Sequence, residues 1–127
     1  MKIFLLVTVL LLSGCAAISP SKESISRANY GSRISQENFE LAVKATLKDP
    51  YSAYVSCTVP EKGYGNRFSG GLTFSSYIYG YISTCEINAK NGFGAYTGGQ
   101  RKVFCVTNDA GFGEHGLVEM FGRWTLL

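Results

Sequence analysis

The feature that most restricts how this chain can fold is the stretch from Thr73 to Asn88. Tyr77, Tyr79, Tyr81, Cys85 and Ile87 fall on one parity and Ile78, Ile82 and Thr84 on the other. Successive side chains of an extended strand point to opposite faces, so this alternation, free of proline, predicts one long β-strand. Gly80 interrupts it and marks a bulge or a place where another backbone or ring packs close.

The neighbouring segments supply partners. Tyr51 to Val59, rich in aromatic and β-branched residues, predicts an earlier strand, and Glu61 to Gly71 reads as a glycine-punctuated loop. Asn91-Gly92, Gly94 and Gly98-Gly99 offer turn chemistry before a strand at Arg101–Thr107. After the turn Asn108-Asp109-Ala110-Gly111, a last strand is expected over Leu117–Thr125.

One helix is expected over residues 35–48. Ser35 is a good N-cap, Glu37 suits the first turn, and Ile34 with Phe39 can form a hydrophobic staple. Phe39, Ala42, Val43, Thr46 and Leu47 recur at helical spacing, Glu40 can pair with Lys44 on the outer face, and Pro50 ends the element. The fold class expected is therefore α+β: one N-terminal amphipathic helix packed on a roughly four-stranded antiparallel sheet.

The beginning of the chain has a different character. Met1-Lys2, an apolar run from Ile3 to Leu12 and then Ser13-Gly14 have the charge, core and small-residue order of a secretory signal. An apolar run of about ten residues spans only roughly 15 Å as a helix, half the hydrocarbon thickness of a bilayer. The junction Leu12-Ser13-Gly14-Cys15 resembles the lipobox of bacterial lipoproteins, in which a diacylglycerol thioether forms on the cysteine and the peptide is cut before it. That resemblance implies lipidation at Cys15 and a membrane partner reached through the acyl chains. Ala16 stands where an aspartate commonly signals inner-membrane retention, which favours the periplasmic side of the outer membrane.

The expected division is a signal peptide at 1–14, the lipidated cysteine and a flexible tether at 15–34, and a single domain at 35–127. The tether reading rests on Ser, Ala, Lys, Arg and Asn around Pro20 without apolar periodicity. Of 127 residues, 113 follow Gly14, enough for one domain and too few for two. The formal charge is only +3, with no basic run or stripe, so nucleic acid is not an expected partner.

Cys57, Cys85 and Cys105 remain after the anchor. In an exported compartment they predict one disulfide and one leftover thiol. If the hairpin is centred on Ala95, Cys85 faces Cys105, which makes that pair the favoured one; Cys57 with Cys85 stays open if those strands are neighbours.

The segment Lys48-Asp-Pro-Tyr-Ser-Ala53 and the later run from Cys85 through Glu-Ile-Asn-Ala-Lys-Asn to Tyr96-Thr97-Gly98 resemble a set of small exported proteobacterial and phage-associated proteins, many of them lipoproteins. These share a helix ending in an Asp-Pro-x-Ser-Ala turn and a Cys-Gly-Glu-Val-Asn-Ala-Lys-Asn hairpin. Here Glu86 follows Cys85 without the intervening Gly, and Ala95 replaces the commoner Gly. The resemblance spans roughly residues 36–107 and implies no activity.

His115, beside Glu114 between Gly113 and Gly116, is the sole histidine and reads as a surface residue. Three cysteines spread along the chain with no short ligand pair do not make a zinc site, and neither a metal nor another cofactor is expected. Asn88, Lys90, Asn91 and Tyr96 form the most polar patterned part. They can present amide and ammonium donors to a partner, or Asn88 and Asn91 can simply shape the hairpin. Tyr77, Tyr79 and Tyr81 suit core packing or an exposed binding row. The function expected is a non-enzymatic binding or accessory module of the envelope with a protein partner. The alternative is an inhibitor or exclusion factor, lysozyme-inhibitor-like or phage-encoded, since Ser69-Gly70 and Tyr96-Thr97-Gly98 are faintly similar to lysozyme inhibitors.

Overall fold

The computed structural model describes residues 19–69, 73–90, 93–96, 98–108 and 116–127. Cys15, Asn91 and His115, and with them the signal and lipidation readings, lie outside the described residues.

The Ser35 hydroxyl accepts from the Asn38 N–H at 3.1 Å, capping a helix that runs Gln36–Ala45 (α2). The helix stops short of the expected residue 48 because the Thr46 hydroxyl folds back onto the Val43 carbonyl at 2.7 Å. Phe39 and Val43 are completely buried, and Ile34 and Leu47 pack against the same cluster. Glu40 does not serve the outer face. Its Oε1 accepts from the Cys57 N–H at 2.9 Å, and the Gln36 amide donates to the Cys57 carbonyl at 2.5 Å. Both edge groups of that residue are thus satisfied by the helix, as burial beside it requires.

Within the segment expected to be a flexible tether, Lys22–Arg27 is helical (α1), with Ser21 as its N-cap and a Glu23–Arg27 ion pair at 2.9 Å. Beyond it Tyr30 packs edge-on against Tyr79 with centroids 5.9 Å apart, and Lys62 Nζ lies 5.5 Å from the Tyr30 ring. The segment is drawn onto the sheet because Tyr30 brings an aromatic ring to a row of others.

The sheet is antiparallel with six strands rather than four: β1 (Tyr54–Cys57), β2 (Glu61–Ser69), β3 (Thr73–Asn88), β4 (Gln100–Thr107), β5 (Leu117–Glu119) and β6 (Trp124–Leu126). The order is β5-β4-β3-β2-β6, and β1 shares with β2 the same edge of β3. The class, α+β with a helix on an antiparallel sheet, is as expected. The extra strands arise because the glycine-rich loop is in fact β2 and because the last expected strand breaks into β5 and β6. Gly63 and Gly65 sit inside β2 where the β6 backbone and neighbouring side chains press on it: a Cβ on Gly63 would lie 2.5 Å from the Thr125 carbonyl and 2.8 Å from Ile82, and one on Gly65 would collide with Met120.

The registers Cys85↔Lys102, Ser83↔Phe104 and Tyr81↔Val106 fix the faces. One face carries Cys85, Ile87 and Phe104 with Cys57 beneath α2; the other carries Ile78, Ile82 and Cys105 beneath Met120. From Glu119 to Trp124 the chain takes five steps, about 17 Å at full extension, whereas four flat strand spacings would need about 19 Å. The sheet therefore curls around the Met120 side, bringing β6 onto β2.

Cys57 stands directly opposite Cys85 and is bonded to it, S–S 2.03 Å. This corrects the favoured pairing with Cys105. Cys105 lies opposite Ile82, on the other face of the sheet from Cys85, and is a buried free thiol.

Candidate binding surface

The turn after α2 and the β3–β4 hairpin meet at one end of the sheet. Tyr54 pairs with Asn88 across β1 and β3, and Lys90 bridges to Tyr96 across the hairpin. The Tyr96 phenol donates to the Ser52 carbonyl at 2.9 Å, its ring lies 5.6 Å from that of Tyr54, and Lys90 Nζ is 5.5 Å from the Tyr96 centroid. Partial desolvation, then Tyr54 and Asp49, hold the Tyr96 phenol above its ordinary pKa.

Around this locked pair the surface is apolar and open. Tyr51 and Phe93 are each 98% exposed and Tyr54 68%. Alongside, a recess of about 300 Å³ is lined by Tyr54, Val55, Ser56, Glu86, Ile87 and Asn88. Glu86 is held at its rim by Arg101 at 2.7 Å. The Asn88 Oδ1 is buried without a hydrogen-bond partner among the described residues. An acceptor of that kind favours a ligand that brings a donor.

Of the predicted site residues, Asn88, Lys90 and Tyr96 are brought together here. Lys90 is not simply solvated: it sits over an aromatic ring, a contact of cation–π type. Sequence reasoning missed Tyr51, Ser52, Tyr54, Phe93 and the Glu86–Arg101 pair as parts of the same surface. The signal was present, since the Asp-Pro-Tyr-Ser-Ala turn and the hairpin are the two segments that carry the resemblance described above.

The tyrosine row divides. Tyr81 is buried, while Tyr77 and Tyr79 are half-buried and cluster with Tyr64 and Tyr30, so the row packs mainly against its own chain. Burial pushes the Cys105 thiol up to about 12, which leaves it protonated at neutral pH. Among the described residues no group of three His, Cys, Asp or Glu side chains is placed to hold a metal ion, and no helix is long and apolar enough to cross a membrane.

Comparison with protein-family models, with curated proteins and with solved structures finds no match. The surface is accordingly read from its own residues.

Proposed function

We propose that this chain is a lipid-anchored envelope protein, attached through Cys15 at the periplasmic side of the outer membrane, whose domain binds a partner protein without catalysing a reaction. The anchor rests on the signal and lipobox pattern Leu12-Ser13-Gly14-Cys15. The observation that carries the binding role is the exposed Tyr54–Tyr96 ring pair, fixed by the Tyr96–Ser52 hydrogen bond, with the exposed rings of Tyr51 beside Ser52 and Phe93 in the same hairpin. Rigid aromatic side chains give large contact area for little lost entropy, and tyrosine is among the residues enriched in interaction hot spots.

Position supports the same reading. The N-terminal segment meets the sheet at Tyr79, whereas the aromatic end begins at Asn88. Nine strand steps separate them, about 30 Å. A domain held from its N-terminal side presents that end away from the point of attachment.

The test is photo-crosslinking in cells, with a photoreactive residue in place of Phe93 in the lipidated protein and a Cys15→Ala control. One envelope protein enriched at position 93, and lost on Tyr96→Ala, is the expected result. No enrichment over the control would remove the binding role, and a lysozyme as the captured protein would convert the reading to inhibition.

A further inference from the structure

The break between β1 and β2 opens a second recess, independent of the surface described above. Cys57 faces Cys85 and Glu61 faces Ile82, so Thr58, Val59 and Pro60 cross a gap at which the edge of β3 is left to Ser83 and Thr84. Thr58 closes the floor: its N–H donates to the Thr84 carbonyl at 3.0 Å, its hydroxyl accepts from the Thr84 N–H at 3.1 Å, and its carbonyl accepts from the Ser83 hydroxyl at 2.7 Å. The far wall is β6, where Trp124 lies opposite Gly65 and Leu126 opposite Gly63, pinned by the Leu127 N–H on the Lys62 carbonyl at 2.9 Å. The recess holds about 280 Å³. That is the lower limit of small-molecule sites, suited to a side chain or small headgroup rather than a whole cofactor.

Its lining combines one carboxylate, Glu61, one indole, Trp124, and an aliphatic wall of Val59, Ile82 and Leu126. Among the described residues Glu61 makes no ion pair. The carboxylate attracts a cation and repels anions, while the indole offers apolar surface to the chain that carries the charge. The aliphatic wall asks in addition for several methylenes. We propose that this recess binds the end of a lysine-type side chain, its ammonium on Glu61 and its alkyl stem along Val59 and Leu126 toward Trp124. The two-carbon stem of an ethanolamine headgroup carries the same charge but leaves that wall uncovered.

Trp124 is the only tryptophan in the chain, so its emission reports on this recess directly. The full chain, in a detergent without aromatic or amine groups, is titrated with n-pentylammonium, 1-pentanol, the peptide Gly-Lys-Gly and glycerophosphoethanolamine at matched ionic strength. Saturable emission shifts are expected for pentylammonium and Gly-Lys-Gly, with 1-pentanol about tenfold weaker for want of the charged contact. Glu61→Gln, which keeps the shape, is expected to reduce pentylammonium to the level of 1-pentanol and leave 1-pentanol unchanged. Equal shifts for amine and alcohol, or a preference that survives Glu61→Gln, would overturn the site. Glycerophosphoethanolamine binding as tightly as Gly-Lys-Gly would overturn its assignment to a long-stemmed amine.

Discussion

The Cys57–Cys85 bond ties residues 28 apart in sequence, and its removal has a calculable cost. In the chain-entropy treatment a loop of that length loses about 12 cal/mol/K of denatured-state freedom, or about 3.6 kcal/mol at room temperature. Cys57→Ala with Cys85→Ala should therefore lower the unfolding free energy by about 3–4 kcal/mol. For a domain of roughly 100 residues that corresponds to a fall in Tm of roughly 15–20 °C. Urea unfolding followed by far-UV circular dichroism measures it, compared with Cys105→Ala, which removes a thiol but no crosslink. A loss below about 1 kcal/mol would refute the entropic reasoning. The connectivity has its own check: after alkylation in denaturant without reductant, peptide mapping should find the label at Cys105 and not at Cys57 or Cys85. A linked Cys85–Cys105 peptide would refute the register from which the faces were assigned.

Gly80→Ala should destabilise the domain by about 1–3 kcal/mol, since a Cβ there would collide with the Val106 carbonyl and meet Cys105 Sγ at 2.7 Å; an unchanged urea midpoint would contradict that packing. Glu40→Ala should cost about 1–2 kcal/mol by leaving the Cys57 N–H without its acceptor, and Glu40→Gln should recover most of it in the same unfolding assay. Because burial raises the Cys105 thiol from 9.0 to about 12, the folded state resists its ionisation: the stabilising contribution is complete below pH 9 and is lost as pH rises toward 12. Tyr30 and Tyr79, also raised by burial, act in the same direction, so the expected signature is a steeper alkaline loss of stability in the parent than in Cys105→Ala. Parallel curves would count against it.

Local signals carried far where one segment decided its own structure. The N-cap at Ser35, the buried faces of Phe39 and Val43 and the full extent of Thr73–Asn88 were all legible, because capping chemistry and side-chain period are written in contiguous residues. Gly80 was legible too: a second backbone, that of Val106, does pass close to it. What failed depended on distant partners. A hairpin centred on Ala95 pairs residues whose numbers sum to 190, whereas the ladder pairs Cys85 with Lys102, a sum of 187. The odd difference moves Cys105 to the opposite face, and turn composition alone does not fix that count. Glycine in β2 looked like loop because its reason, Met120 and Thr125 lying across Gly65 and Gly63, arrives some sixty residues later. The site was half visible for the same reason. Lys90 and Tyr96 are local to one hairpin, but Ser52 and Tyr54 join them only through tertiary contact.

One feature of the sheet bears on how such a domain can be rebuilt. β3 is flanked on one edge by β2 and then β1, and on the other by β4, and residues of both core clusters project from it. It cannot be severed without dismantling both. New termini or an inserted fusion partner therefore belong away from it, and away from the Thr58–Pro60 crossing as well, which three hydrogen bonds from Thr58 fasten to β3 beside the disulfide.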